Sequence, residues 1–492
     1  GAFGSDLWLS HWTILDQAGF LPKPETIVNV TDASITGNTV WYSTNVYLLE
    51  GLVFVEDGET LTIEPGTIVR GKPGQGASAS ALIVARGGKI FAEGTPNNPI
   101  LFTAQDDDVE DPFDFGPTDR GLWGGLIILG RATLNSPVAS GTPITDNIEG
   151  IPVEEVRGIY GGNDDNDNSG VIRYVSIRHG GSNIGANNEI NGLTLGAVGR
   201  GTVVEFVEVI ANLDDGVEFF GGTVNTKYLV VGFCGDDSFD YDQGFRGKGQ
   251  FWFTIQDTDA DAAGEHDGDI DDFTKLPLAN PTIYNATYIG AGAASGVNQR
   301  ALRIRENAAG KYINSIFTDF GGNGIQIDTT STNQLALGNL DLRNNLWWGF
   351  GAGNTAAQIA NADAQVLFTD ASRMNEIVDP QLRGISREPD GGLDPRPGSG
   401  SPAWSGAAMV PDDGFFTAAA YRGAFAGVNW ASDWTYLSHV KILNPRGGGN
   451  PMDMPAMVGP AAPILSIQQV GSDVEIRFAS ETGVTYQLQS AA

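Results

Sequence analysis

Cysteine is nearly missing from this sequence: Cys234 is the only one in 492 residues, so no disulfide within the chain can support the fold. Set between Phe233 and Gly235, it reads as a small core residue. Long apolar runs are missing too. None approaches the ~18 residues that a membrane-spanning helix needs, which excludes insertion by helices. Cations are scarce: 28 Lys and Arg stand against 60 Asp and Glu, a formal charge of −32. Such a chain repels nucleic acid and anionic lipid and attracts divalent cations. The four histidines, His11, His179, His266 and His439, are scattered and leave no zinc-type cluster. No phosphate loop, Gly-x-Ser-x-Gly elbow or dinucleotide fingerprint is present.

What the chain has in excess is glycine, 67 residues, with 24 prolines spread along its length. They punctuate short strands and deny long helices. One helix is expected, in SDLWLSHWTILDQAGF (5–20), where Trp8, Trp12 and Leu15 share a face and Gly19 can end it. From about residue 40 the pattern becomes short apolar segments between Gly/Asn/Asp turns. VIRYVSIRHG, TVVEFVEVIA, NTKYLVVGFC, PTIYNATYIG, KYINSIFTDF and LDLRNNLWWG can be laid on one another. Asn285, Asn314 and Asn344 hold one place in the last three, at intervals of 29 and 30 residues. A strand recurring once per ~20–30 residues is one coil of a solenoid, stacked in parallel at ~4.8 Å per coil. About 10–14 such coils are expected, with the asparagines hydrogen-bonded to their copies above and below. FFGG (219–222), FWF (251–253) and LWWGF (346–350) read as aromatic ladders inside the coil.

The segments ETLTIEPGTIVRG, LIVARGGKIFAEGTPNNPILFTA, DDGVEFFGGTVNTKYLVV and GSPAWSGA resemble secreted right-handed parallel β-helix proteins of the pectate-lyase-like superfamily. A large group of bacterial cell-surface proteins is the nearest likeness, and YRGAFAGVNWASDWT (421–435) resembles that group's closing segment. The fold implied is all-β: a right-handed parallel β-helix over 40–443, an N-terminal cap with its helix over 1–39, and a short C-terminal strand segment. NPRGGGNPMDMPAMVGPAAP (444–463) is a Gly/Pro linker, and residues 464–492 read as two or three strands. The likeness, with the acidic, Lys-poor composition and no signal run after GAFGSD, implies a secreted or cell-surface protein whose signal has been removed. Because open solenoid ends expose unpaired backbone, the terminal segments are expected to cap the rod or join it to a second copy, building a filament.

The chemistry is expected in the acidic turns. CGDDSFDYDQGFRGK (234–248) carries Asp236, Asp237, Asp240 and Asp242, with Arg246 and Lys248 directly after. Asp214-Asp215 lies 22 residues earlier, about one coil. Carboxylates stacked ~5 Å apart repel by ~3 kcal/mol per pair at an effective dielectric of 20, and need a cation, a proton or a neighbouring Arg or Lys for relief. Oxygen donors in flexible turns suit Ca²⁺, with Asp214, Asp215, Asp236, Asp237, Asp240 and Asp242 as ligands. No EF-hand spacing fits: from Asp257 the sixth position is Ala262 and the twelfth Gly268. NDDNDNSG (163–170) is a second candidate for the ion. The competing reading is enzymatic. Polygalacturonase-type β-helix hydrolases carry Gly-Asp-Asp and Arg-Ile-Lys motifs, which Gly235-Asp236-Asp237 and Arg303-Ile304-Arg305 resemble. That resemblance implies Asp236, Asp237 and Arg303 as catalytic residues of a polysaccharide hydrolase; a polysaccharide lyase would instead need Ca²⁺ on the substrate's uronate and Arg246, Lys248 or Arg303 as base. The resemblance departs at Asn225-Thr226-Lys227, where Lys stands for Asp, and at Glu265-His266-Asp267, which lacks the glycines flanking the histidine. A non-catalytic glycan-binding adhesin would use the same groove.

Overall fold

A computed structural model describes residues 26–136, 143–185, 188–269, 273–444, 465–470 and 473–478. The helix expected over 5–20 and nearly all of the 444–463 linker lie outside the described residues. The chain divides into two units, Gly1–Gly448 and Gly449–Ala492. In the second, Leu465–Val470 and Asp473–Phe478 pair as an antiparallel hairpin. No helix among the described residues is long and apolar enough to cross a membrane.

The first unit is a parallel β-helix. An 18-stranded sheet supplies two faces of the coil and a 9-stranded sheet the third, and within each ladder the strands run parallel. Stacking begins at Thr26–Val30, which pairs with Asn45–Leu49. Each rung follows period-2 alternation: in Phe239–Asp242, Phe239 and Tyr241 are buried and the alternating Asp240 and Asp242 turn outward. The inward side chains stack from rung to rung, Phe219 on Phe245 at 4.4 Å, Phe239 on Trp252 at 4.7 Å and Phe317 on Trp347 at 4.2 Å. Aromatic ladders therefore fill the core, as the sequence suggests. Cys234 lies in the same core, 1 % exposed, and burial pushes its thiol up to about 12.

Two of the three faces meet at a sharp corner held by one left-handed residue per rung. Tyr174, Phe206, Tyr228, Phe251, Asn285, Asn314 and Asn344 occupy it at φ between 49° and 59°. Asparagine enters this region readily and bulky aromatics seldom do. The aromatics are compensated by stacking outward on one another at 4.4, 4.2 and 5.0 Å. The asparagines share one place, as their spacing predicts, but they do not bond to one another. Each donates its Nδ2–H to the segment 380–444, which runs back along this corner as a strap: Asn285 to the Tyr421 carbonyl at 2.8 Å, Asn314 to Ala408 at 2.8 Å, Asn344 to Gly406 at 2.9 Å. The expected side-chain ladder fails because a left-handed corner aims the amide away from the rung above, at whatever backbone crosses outside. Asn314 also accepts from the Ala408 N–H at 2.7 Å. Asn314→Ala should cost roughly 2–4 kcal/mol, from two lost hydrogen bonds and a Cβ residue less tolerant of the left-handed region. Asn314→Gly should recover the backbone part. Urea denaturation of the two variants checks this, and equal costs would refute the division.

Candidate functional site

The acidic turns stack. Val217–Phe220 pairs in parallel with Phe239–Asp242, and that strand with Gly264–His266, placing Glu218, Asp240 and Glu265 at one register. Two positions before each strand, the Asp237 N–H donates to Asp215 Oδ1 at 2.8 Å and the Ala262 N–H to Asp237 Oδ1 at 2.6 Å. The carboxylates thus climb rung by rung along one edge of the 9-stranded sheet. They line a cleft of about 490 Å³. Two elements distant in sequence wall it: Glu149, from the segment after residue 143, and Glu189, from the short hairpin of Asn183–Gly185 with Asn188–Glu189.

Four overlapping triads offer oxygens within 4.8 Å of one another: Glu149/Glu189/Asp214, Asp214/Asp215/Asp236, Asp215/Glu218/Asp240 and Asp236/Asp237/Asp261. Five of the six aspartates expected as ligands come together here. The sixth, Asp242, belongs to no such triad among the described residues and faces a neighbouring cavity. Glu149, Glu189 and Glu218 have no counterpart among the expected ligands, while Asp261 and Glu265 lie in the acidic stretch DTDADAAGEHDGDIDD (257–272), one coil further on, without being singled out there. A signal for two of them was present: VEFF, FDYD and GEHD repeat an acid followed by a ring.

The cations of the motif go elsewhere. Arg246 pairs with Asp165 at 2.9 Å and Lys248 with Asp413 of the strap at 2.6 Å. In NDDNDNSG, Asp165 accepts from Thr133 and Arg246 and Asp167 from the Arg131 N–H, and among the described residues neither stands in an oxygen triad. Among the described residues, the guanidinium groups on the ladder sit at its far end. Arg303 binds Glu265 at 2.6 Å and Asp261 at 3.3 Å, and Arg305 binds Glu265 at 2.5 Å and also Asp267.

Asp240 has no hydrogen-bond or ion-pair partner among the described residues, and its Oδ1 is sealed from solvent. Burial, then repulsion from neighbouring carboxylates, pushes Asp215, Glu218, Asp237 and Asp240 well above the usual carboxylate range. The same causes take Asp214 up to about 7. Burial and Asp267 raise Glu265 to about 7 against the pull of its two arginines. Carboxylates are thus crowded in a cleft where Asp215, Glu218 and Asp237 are buried and Asp236 is exposed, and the triads could hold a metal ion. Two oxygens on opposite sides of Ca²⁺ at 2.3–2.6 Å are about 4.6–5.2 Å apart, the scale of these triads.

Stacked parallel rungs with an acidic groove along one face define a β-helix protein. A family model described as a pectate-lyase like beta helix domain matches residues 33–376, most of the chain, and the protein belongs to that family. Comparison with curated proteins and with solved structures gives no match.

Proposed function

We propose that the protein is a secreted, cell-surface β-helix of structural role whose acidic ladder is neutralised by calcium. The observation that carries this reading is the Asp215/Glu218/Asp240 triad, with Asp240 unpartnered and partly sealed from water. A buried carboxylate without hydrogen bonds is costly, and a hard cation with oxygen donors removes the cost. Secretion is supported by the family and by the acidic composition, and the 465–478 hairpin, which pairs with no further strand among the described residues, is the candidate for self-association.

Calorimetric titration of the chelator-treated protein with CaCl₂ tests the ion. Saturable binding is expected, weakened at least tenfold in Asp215→Asn/Asp240→Asn. Absence of binding at 10 mM calcium, or an unchanged affinity in the variant, refutes the reading.

The enzymatic alternative, a polysaccharide hydrolase using Asp236, Asp237 and Arg303, has one observation in its favour. Asp261 links the three, as a triad member with both aspartates and as an ion-pair partner of Arg303. Against it, an inverting pair needs its carboxyls about 6.5–9.5 Å apart to admit water and sugar. Asp236 and Asp237 approach more closely than that. The spacing weighs against an inverting pair, though not against a retaining one at about 5–5.5 Å, and the unpartnered Asp240 carboxylate favours the ion.

A further inference from the structure

A second cavity of about 510 Å³ lies beside the ladder, sharing Glu149 with it. Its chemistry differs. One wall is hydrocarbon: Ile148, Ile151, Tyr160 and Phe220 are each at most 5 % exposed and pack in one cluster, and Val153 at the rim is 68 % exposed. Facing this wall is Asp242, whose carboxylate has no hydrogen-bond or ion-pair partner among the described residues and whose Oδ1 is sealed from solvent.

The other charges at the cavity are largely occupied. Arg305, the cation on its lining, is held by Glu265 and Asp267, and Asp269 has Lys275 at 3.4 Å. Glu149 and Glu306 add negative charge. The cavity therefore presents an unanswered carboxylate opposite an apolar wall.

We propose that this cavity binds an organic ammonium ion, an amine carried on a short aliphatic body. An ammonium offers three N–H donors and a positive charge to a carboxylate that otherwise has neither, while its methylenes cover the hydrocarbon wall. A bare metal ion would leave that wall unused, and Asp242 stands in no oxygen triad to coordinate one. A neutral polyol would leave the charge unanswered, and an anion would be repelled. The cavity volume falls within the range of small-molecule sites, about 300–1,000 Å³. The two sites differ in their ligands: Asp242 lines the cavity and stands in no oxygen triad among the described residues, while Glu149 borders both.

The test is calorimetric titration with 1,5-diaminopentane and, as a neutral match, 1,5-pentanediol, each at saturating calcium and again in chelator. Saturable diamine binding is expected, at least tenfold tighter than diol binding and persisting when calcium is saturating. Asp242→Asn should weaken it at least tenfold while leaving the calcium titration and the thermal midpoint in calcium unchanged. The proposal is overturned if the diamine does not bind, if the diol binds equally well, or if calcium displaces the diamine. Equal loss in Asp236→Asn also overturns it, because the amine would then be a loose counter-ion of the ladder. Should Asp242→Asn fail to fold, the diamine–diol comparison on the unaltered protein decides. Loss of calcium binding with diamine binding intact would defeat the proposed function and leave this site standing.

Discussion

In chelator the folded protein is expected to be more stable at pH 6 than at pH 8, by roughly 2–4 kcal/mol, and added calcium should erase or invert the difference. The sign follows from the crowded carboxylates. Glu149, Asp214 and Glu265 titrate at about 7 in the folded chain, against ordinary values near 4. Burial is the first cause for each, and the repulsion comes from Glu189 at Glu149, from Glu149 and Asp236 at Asp214, and from Asp267 at Glu265. Between those limits the folded state binds more protons than the unfolded state, so lowering the pH through 7 stabilises it. For Glu149, moved from 4.5 to about 7, the penalty of staying ionised is roughly 3 kcal/mol. The three share their charges, so their penalties do not add.

Histidine limits the gain on the acid side. Burial lowers His266 to about 3 and also lowers His179 and His439, and each is ordinarily protonated below about 6.5 once unfolded. Their contribution is lost as the pH falls through that value, so the optimum in chelator should sit near pH 6. On the proposed reading calcium engages the ionised carboxylates, so its stabilisation should grow from pH 6 to pH 8. Urea denaturation at the two pH values, with chelator and with 5 mM calcium, reads both effects. A chelated protein that loses stability from pH 8 to pH 6 would mean that the carboxylates are not crowded.

How much of this was legible in the sequence depends on the range of the contact. The coil was legible because it repeats: Asn285, Asn314 and Asn344 mark one corner, and the spacing of Asp214-Asp215 to Asp236-Asp237 is one rung, which the Asp237-to-Asp215 bond bears out. Tyr174, Phe206, Tyr228 and Phe251 hold the same corner, but bulky residues there give no warning of a left-handed backbone. The strap was read only as a closing segment, since nothing in the rungs encodes what crosses outside them. Glu149 and Glu189 were missed for the same reason. They reach the ladder from loops whose course no periodicity dictates. Asp242 was grouped with its neighbours by proximity in sequence, yet at the strand's end it turns into the adjacent cavity.

Glu208 is where the strap should be most sensitive to substitution. It sits on Val203–Ile210 and is fully buried, with Ser176 beside it on the preceding rung. Its Oε2 accepts from Ser176 Oγ at 2.6 Å and from the Tyr436 N–H at 2.7 Å, the first turn of the strap's helix Tyr436–His439. Arg178, 5 % exposed, donates to Ser176 Oγ at 2.8 Å and lies over the Tyr436 ring at 5.3 Å. Glu208→Ala removes the acceptor for a buried N–H, opens a void and strands the Arg178 charge. Breaking a buried charged network in this way costs about 3–5 kcal/mol. Glu208→Gln keeps the shape and one acceptor oxygen, so it should cost less, about 1–3 kcal/mol. The lost energy belongs to strap docking, because the rung itself is held by backbone pairing on both sides. Limited proteolysis of Glu208→Ala should therefore cut within 405–444 before the coil opens, where Trp430 and Trp434 pack on the outer aromatic stack. Cleavage first in the rungs, or a cost below 1 kcal/mol in urea, would show that Glu208 does not anchor the strap.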